Sequence, residues 1–287
     1  MKKHIPWLAM LVLVGAAAAL FFYRSSVQRQ HPVAPPPPVA QAPVPTSPSP
    51  GTQAPAPLVR YPLPKSPGNG AGNGAGRPAQ KDASLPALDN SDPTLEKALG
   101  QLFGQPALDT LFRPKSIARH LAVTVDDLSR TKLPQRYMPT RPVAGRFLVT
   151  GGQGDYAISP DNYRRYTPYV RLLEDVNVKE LVSVYLRFYP LLQEAYRDLG
   201  YPSGYFNDRL MAAIDDLLAT PEVTGPVKLV QPNVLYKFAD PKLEALSAGQ
   251  KILIRMGPRN AARVKARLRE VRKALLAQVS GGERHRP

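Results

Sequence analysis

Cysteine is absent from this chain of 287 residues, and histidine occurs only four times. Without cysteine the chain cannot form disulfide bonds, thiolate zinc sites or a cysteine nucleophile. Three of the histidines lie outside the segment predicted to fold, at positions 4, 31 and 285, which leaves His120 alone there. A single histidine supplies neither a histidine metal cluster nor a Ser-His-Asp triad. We therefore expect no metal, no cofactor and no catalytic residue, and we interpret His120 as a helix-surface residue.

Acidic residues are scarce at both ends of the chain, which carries a formal net charge of +16. Residues 1–83 hold eight Lys or Arg against one Asp, and residues 258–287 hold nine against two Glu. Residues 84–257 hold 21 basic against 19 acidic side chains and are close to neutral. A basic surface favours acidic partners, but the neutral body disfavours nucleic acid as the main partner.

Charge is also missing from residues 7–23, WLAMLVLVGAAAALFFY, which lie between two lysines and an arginine. Seventeen apolar residues are the short end of a membrane span, and aromatic residues stand at both ends, as they do at membrane interfaces. The alternative is a cleaved signal peptide, for which GAAAAL offers small residues. Because the apolar run continues beyond the alanines, we predict an uncleaved anchor at 1–24. This places a single-pass protein in a bacterial inner membrane, with its C-terminal domain in the periplasm.

Residues 25–84 contain 15 prolines and a Gly/Asn/Ala tract, GNGAGNGAGR. Pro-rich chain is semi-rigid and Gly-rich chain is flexible, so the reach of this segment is between about 40 Å and about 190 Å. Such a composition cannot bury a core. We predict a spacer between the membrane and a folded domain.

Helical signals recur from Leu85 onward. Asp92-Pro93 and Asp240-Pro241 are typical helix starts, and Ser247 with Gln250 is a capping-box pattern, as is Asn177 with Glu180. Residues 147–158 read as a hairpin, and residues 226–238 as a short extended piece. The predicted fold class is mainly α: a compact multi-helix domain with one or two short β-hairpin pieces, preceded by one transmembrane helix and a disordered linker. The predicted domains are the anchor at 1–24, the disordered linker at 25–84, an α-helical periplasmic domain at 85–279 and a disordered tail at 280–287.

Long stretches of the folded part resemble a known bacterial family. They are LPALDNSD at 85–92, KLPQRYMP at 132–139, YPLLQEAYRDLGYPSGYFNDRLMAAIDDLLATP at 189–221, and VLYKFADPKLEALSAGQKILIRMGPRNAARVKARLREVR at 234–272. Over about residues 85–276 the chain is similar to an uncharacterised, membrane-anchored family, known only as a conserved domain of unknown function. The resemblance implies an envelope protein of a Gram-negative bacterium. It implies no activity and no catalytic residues.

The segment from Arg255 to Leu275 is strongly basic and contains Gly257-Pro258. It approaches a helix-hairpin-helix, a DNA-backbone clamp, but arginine replaces the first glycine of that motif at position 255. The simpler interpretation is that Gly257 ends one helix and Pro258 starts the next. The last helix, predicted at 258–279, has one narrow apolar stripe. Its back carries candidate contacts for anionic lipid or another polyanion: Arg259, Arg263, Arg267 and Lys273.

Ten of the thirteen tyrosines lie between Tyr156 and Tyr236. Tyrosine buries a ring and still needs a hydrogen-bond partner for its hydroxyl, so tyrosines serve both cores and binding surfaces. A core that mixes rings with polar groups is one interpretation, and a binding cleft is the other. The candidate binding residues are Tyr185, Tyr189, Tyr196, Tyr201, Tyr205 and Phe206.

Pairs of carboxylates suggest a further possible function, that of an enzyme. Glu194 and Asp198 share a helix face, and Asp208 and Asp215 are seven residues apart. A hydrolase or lyase acting on cell-wall glycan needs two acids across a cleft, but nearby arginines favour structural ion pairs instead. We therefore expect a non-enzymatic binding or scaffold module, tethered to the membrane, that contacts an unknown envelope protein or glycan. The alternatives are the carboxylate enzyme and a binder of anionic lipid or nucleic acid through the last helix.

Overall fold

The computed structural model describes residues 59–63, 85–152 and 154–283. Within these residues, no helix is both long enough and apolar enough to cross a membrane. The predicted anchor at 1–24 lies outside the described residues, as does most of the predicted linker.

The domain is mainly helical and carries a small antiparallel sheet of four strands. The helices are α1 Asp92–Phe103, α2 Gln105–Leu111, α3 Ile117–Leu128, α4 Pro160–Arg164, α5 Thr167–Glu174, α6 Val178–Asp198, α7 Phe206–Leu218, α8 Pro241–Glu244, α9 Ala248–Arg255 and α10 Pro258–Glu283. The strands are β1 Val149–Thr150, β2 Tyr156–Ile158, β3 Lys228–Val230 and β4 Lys237–Phe238. The mainly helical class is confirmed.

Several predicted helix starts are confirmed by their caps. Asn177 accepts backbone N–H groups at the start of α6, Asp240 does so at α8, and Ser247 with Gln250 forms a reciprocal capping box at α9. Helix α1 starts at Asp92-Pro93, as predicted, but Asp92 is not its N-cap, because Ser91 occupies that position. The Asp92 carboxylate accepts hydrogen bonds from the backbone N–H groups of Ser116 and Ile117, at 2.6 and 2.8 Å, and so stabilises the start of α3 instead of α1.

The end of the last helix also differs from the prediction. Helix α10 continues to Glu283 instead of ending at 279, so part of the predicted disordered tail is helical. Glycine disfavours a helix interior by only about 1 kcal/mol relative to alanine, and Gly281 and Gly282 therefore do not end the helix.

The main core lies between long amphipathic helices. Helix α3 packs against α6 and α7, and α10 packs across α5, α6 and α7. Large side chains at these contacts are fully buried, among them Phe188, Phe206 and Leu210. This packing holds the first turn of α7 beside α6, and that pair of helices builds the site described below.

A smaller core covers the sheet. The strand order is β1-β2-β3-β4, with Tyr156 opposite Leu229 and Leu229 opposite Phe238. The predicted hairpin therefore joins the predicted extended piece in one sheet. Its buried residues, such as Ile158 and Phe238, pack against Ile254 of α9.

Gly257 joins α9 to α10, as the sequence indicated. Its φ of +87° lies in the left-handed region that favours glycine, and a Cβ there would stand 2.4 Å from Cγ of Tyr163. Asn260 donates hydrogen bonds to the carbonyls of Tyr163 and Met256 beside it. The glycine is therefore explained by a helix junction packed against a tyrosine ring.

Candidate functional site

A short piece of the predicted linker contacts the domain. Residues 59–63, here called the docked segment, have the sequence Val-Arg-Tyr-Pro-Leu and lie against the first turn of α7. The side chains of Tyr205, Asn207 and Asp208 make four hydrogen bonds with its main chain. We call these three side chains, with Tyr185 behind them, the docking site. Within the predicted linker, the main chain of residues 60, 61 and 63 therefore has hydrogen-bond partners on the domain.

Asp208 makes the central contact. One carboxylate oxygen accepts a hydrogen bond from the backbone N–H of Arg60 at 2.9 Å, and the other accepts from the N–H of Tyr61 at 2.8 Å. The chain bends at these two residues, and a bend can turn successive N–H groups toward one anion. Hydrogen bonds to an ionised acceptor are about twice as strong as neutral ones. The contact therefore recognises a backbone shape and is largely independent of the side chain of Arg60.

Asn207 and Tyr205 complete the recognition of the main chain. The amide of Asn207 donates to the carbonyl of Tyr61 at 2.8 Å, and the hydroxyl of Tyr205 accepts from the N–H of Leu63 at 2.8 Å. Pro62 has no N–H and occupies the position where none is needed. The ring of Tyr61 packs against the edge of the main core. Backbone hydrogen bonds and the packing of one aromatic ring thus bind the docked segment to the domain.

Helix α6 holds the docking site in place through side chains four residues apart. Tyr185 donates its hydroxyl to Oδ1 of Asn207 at 2.8 Å, which leaves the amide nitrogen of Asn207 directed at the docked segment. Gln193 accepts from the hydroxyl of Tyr189 at 2.7 Å and from the N–H of Phe206 at 2.8 Å, and it donates to the carbonyl of Gly204. The spacing of 185, 189 and 193 places these groups on one face of α6.

The two tyrosines of this face are neutral. Burial raises the pKa of the Tyr185 hydroxyl well above its usual range, and the neighbouring Tyr189, Tyr205 and Asp208 raise that pKa further. Burial likewise raises the pKa of Tyr189 strongly, with Tyr205 as the next cause. Both hydroxyls therefore remain hydrogen-bond donors at any physiological pH, and Tyr185 keeps Asn207 in one orientation.

The structure divides the six predicted binding residues into two groups. Tyr189 lies between Tyr185 and Tyr205 of the docking site. Its ring centroid is 5.8 Å from the centroid of each of these two rings. Tyr196 is 7% exposed and Phe206 is 2% exposed, so both are core residues and offer almost no contact surface. Their rings lie inward because they pack between α6 and α7, which the sequence alone does not specify.

Tyr201, the sixth, belongs to an ion-pair cluster. Its ring stacks on Tyr196 at 4.7 Å, and its hydroxyl donates to Asp126 at 3.1 Å. Asp126 also accepts from Arg130 at 2.7 Å and from Nε of Arg209 at 2.8 Å. We call Asp126 and its three partners Tyr201, Arg130 and Arg209 the Asp126 network. It ties α3 to α7 and to the loop before α7, and this is a structural role.

The structure also separates the four basic residues predicted as polyanion contacts into a paired group and an exposed group. Arg263 forms an ion pair with Glu174, and Arg267 pairs with Glu270 and donates to carbonyls at the end of α5, including that of Val176. A cation at a helix C-terminus is favourable, so these two arginines dock α10 on α5. Among the residues that the structure describes, Arg259 and Lys273 form no ion pair and remain exposed.

Three of the four predicted carboxylates have separate partners in the described part of the chain. Asp198 pairs with Arg119 at 2.5 Å, Asp215 pairs with Arg272 at 2.6 Å, and Asp208 binds the docked segment. Glu194 is exposed on α6. Across the described part of the chain, no three His, Asp or Glu side chains are grouped so as to hold a metal ion.

His120 lies on helix α3, as predicted, but it is half-buried. Its Nδ1 atom is buried and has no hydrogen-bond partner among the described residues, and its ring lies 6.3 Å from that of Tyr137. Burial lowers the pKa of His120, and the charge of Arg113 lowers it further. The short 3-10 helix Gln135–Tyr137 places Tyr137 beside this histidine, a contact that helical spacing could not reveal.

One sequence signal could have identified the docked segment. Within residues 25–84, the single aromatic residue is Tyr61 and the two leucines are Leu58 and Leu63. A cluster of apolar side chains in a chain of Pro, Gly and Ala is a candidate contact, because burying it costs little ordering entropy where prolines already restrict the backbone. This signal identifies the segment but not the surface of the domain that the segment contacts.

A family model described as "Protein of unknown function (DUF3014)" matches residues 117–272, more than half of the chain. The chain belongs to this family. The match confirms the resemblance to an uncharacterised domain family. No curated protein and no solved structure matches the chain. The DUF3014 match begins at α3 and ends within α10, so it includes the whole docking site, whereas the docked segment lies before it.

Amide exchange tests whether the docked segment is held in solution. In the full-length protein we expect protected amides at Arg60, Tyr61 and Leu63. Asp208→Asn should speed exchange at Arg60 and Tyr61 at least tenfold, because an amide offers one acceptor oxygen where the carboxylate offers two; a tenfold change corresponds to about 1.4 kcal/mol. Hydrogen-exchange mass spectrometry of residues 58–64 measures this. Asp215→Asn on the same helix is the control and should leave exchange there unchanged; equal exchange in all three proteins would contradict the docked arrangement.

Proposed function

We propose that this protein is a membrane-tethered envelope module, without enzymatic activity, that binds a linear polypeptide segment at the docking site. The observation that carries the proposal is the set of four hydrogen bonds from Tyr205, Asn207 and Asp208 to the main chain of residues 59–63. In peptide recognition, main-chain hydrogen bonds provide affinity and pockets for side chains provide specificity. The docking site has both elements, since it also accepts the ring of Tyr61 against the core.

The placement of charge supports binding over catalysis. Asp208, the predicted carboxylate nearest to the tyrosines, already accepts two amide N–H groups. Asp198 and Asp215 are paired with arginines. A glycan-cleaving pair needs one acid held with a raised pKa and a second across a cleft, and these partners favour neither role.

The envelope setting is part of the same proposal. The predicted anchor at 1–24 would hold the chain in the inner membrane, and the predicted linker would carry the domain into the periplasm. A segment of another envelope protein is therefore the expected ligand. A soluble, freely diffusing ligand would gain nothing from a tether of this length.

Photocrosslinking in cells tests the proposal in the full-length protein. A photoreactive residue replaces Ala212, an exposed residue one helical turn after Asp208 and on the same face. We expect an adduct with an envelope polypeptide, mapped by mass spectrometry to a linear segment, whose yield falls at least fivefold in Asp208→Asn.

A probe at Ala266 is the matched control, because this exposed alanine lies among the basic residues of α10. It should not capture the same segment. An adduct of glycan or lipid at Ala212 would reject the proposal, and so would a polypeptide yield that ignores Asp208→Asn. Lipid at Ala266 alone would favour the polyanion alternative.

A further inference from the structure

We infer that the docked segment is an intramolecular competitor, which occupies the docking site until a partner segment of similar chemistry displaces it. This inference rests on the proposed function and adds its regulation and the kind of ligand. The competitor and the partner share one requirement, a short segment in which an aromatic residue precedes proline and an apolar residue follows.

The ligand chemistry follows from the contacts. The docking site takes up the N–H groups of residues 60, 61 and 63 and the carbonyl of residue 61, and it leaves position 62 without a donor to satisfy. Proline at 62 fits this gap and restricts φ, which lowers the entropy lost on binding. The aromatic residue at 61 packs on the core, and Leu63 is half-buried beside Tyr205. The docking site contacts residue 60 through its backbone N–H, so we expect a ligand to tolerate different side chains at this position.

The docking site is assembled without the docked segment. Gln193 holds the loop before α7 through Gly204 and Phe206, and Tyr185 orients Asn207. These bonds lie within the domain and do not involve residues 59–63. When the segment leaves, the carboxylate of Asp208 and the amide of Asn207 meet water, which satisfies them. Exchange of one segment for another therefore requires no refolding of the domain.

The tether decides the strength of the competition. Residues 64–84 separate the docked segment from Leu85 in the sequence, and a linker of this length with the predicted flexibility would give an effective concentration on the order of 1 mM. A dissolved peptide with the same contacts must approach that concentration to displace the segment. A partner succeeds if it binds more tightly or if the membrane confines it beside the domain. Displacement would also lengthen the predicted spacer, from residues 25–58 to residues 25–84, and raise its extended reach from about 105 Å to about 190 Å.

A direct test uses a fluorescent peptide with the sequence of residues 57–66, PLVRYPLPKS, and the full-length protein in nanodiscs. Fluorescence anisotropy gives the affinity for the wild type and for Tyr61→Pro, which removes from the internal segment both the ring and one bonded N–H. We expect Tyr61→Pro to bind the peptide at least tenfold more tightly than the wild type. The double variant Tyr61→Pro/Asp208→Asn should lose that gain, whereas Tyr61→Pro/Asp215→Asn should keep it.

Peptide controls test the ligand chemistry. A peptide with alanine in place of its tyrosine, or one with its residues scrambled, should bind Tyr61→Pro at least tenfold more weakly. Thermal denaturation of each protein checks that the fold is intact, and Tyr61 lies at the edge of the core, outside the helices that build it.

The outcomes separate the two proposals. If neither the wild type nor Tyr61→Pro binds the peptide, the docking site does not take a segment from another chain, and the proposed function fails with this inference. If both bind it equally and Asp208→Asn weakens both, peptide recognition stands and internal competition is refuted. If the peptide binds Tyr61→Pro and Tyr61→Pro/Asp208→Asn equally tightly, it binds outside the docking site. That result would refute both the proposed function and the internal competition.

Discussion

Replacing Asp126 with alanine is expected to lower the free energy of unfolding by about 3 kcal/mol or more, the lower end of what is lost when one partner of a buried ion pair is removed. The Asp126 side chain is 10% exposed and that of Arg209 is 23% exposed. Without the carboxylate, Arg209 and the Tyr201 hydroxyl lose their shared partner while they remain largely shielded from water. Because Arg209 lies on α7 and Asp126 on α3, the loss also weakens the contact between two central helices.

Asp127 provides the matched control, since it is the neighbouring residue and of the same type. Burial raises the pKa of Asp127, and the nearby Asp126 raises it further. A carboxyl whose pKa is higher in the folded state than in the unfolded state opposes folding at neutral pH, and this opposition fades as the pH falls through the folded pKa. Asp127→Ala should therefore leave the stability at pH 7 unchanged or raise it.

Urea denaturation at pH 7, followed by circular dichroism, measures both variants. The expected result is a large fall of the midpoint for Asp126→Ala and none for Asp127→Ala, with similar slopes. Equal midpoints for the two variants would mean that the Asp126 network does not stabilise the fold. Such a result would return Tyr201 to the list of possible ligand contacts.

Gly257→Ala is expected to cost about 3 kcal/mol of unfolding free energy. The left-handed backbone at φ +87° penalises any residue with a Cβ by about 1–2 kcal/mol. The added methyl group would also stand 2.4 Å from the Tyr163 ring, and overpacking of this kind costs about 1–3 kcal/mol. The two causes act together because the junction between α9 and α10 is packed directly on that ring.

Gly200→Ala separates the two causes. Gly200 has a φ of +101°, but a Cβ built there meets no atom within 4 Å among the described residues. This variant should show the backbone penalty alone, at about 1–2 kcal/mol. Chemical denaturation of the two variants side by side gives the comparison. Equal losses of unfolding free energy in the two variants would mean that the Tyr163 ring moves aside for the methyl group. The close packing of the junction would then contribute no additional stability.

The existence of the helices and several of their starts followed from local patterns. Ser247 with Gln250 starts α9, Asp240 starts α8, and Gly257-Pro258 separates α9 from α10, all as the sequence indicated. These features are predictable because a cap, a turn glycine and an apolar stripe act over four or five residues. The family membership also came from sequence, since long motifs identify relatives without any knowledge of contacts.

The site was less predictable. Six aromatic residues were candidates, and two of them, Tyr185 and Tyr205, belong to the docking site, but Asn207 and Asp208 supply the decisive contacts with Tyr205. Asp208 was considered only as an acid for catalysis or as a member of a structural ion pair. The burial of Tyr196 could not be read from spacing, since it shares one face of α6 with the less buried Tyr185 and Tyr189, and Phe206 lies on a different helix, α7.

By itself, the sequence determined the helical class and the helix junctions, because both depend on interactions between near neighbours along the chain. It also determined the family, because long sequence motifs identify relatives directly. Only the tertiary structure decided where Asp92, Arg263 and Arg267 find their partners, how the hairpin joins the second pair of strands, and that residues 59–63 meet α7. The hydrogen bonds of the docked segment join residues 142 to 148 positions apart. Side chains so distant in sequence come together only after α6 and α7 have packed, and no local pattern records that packing.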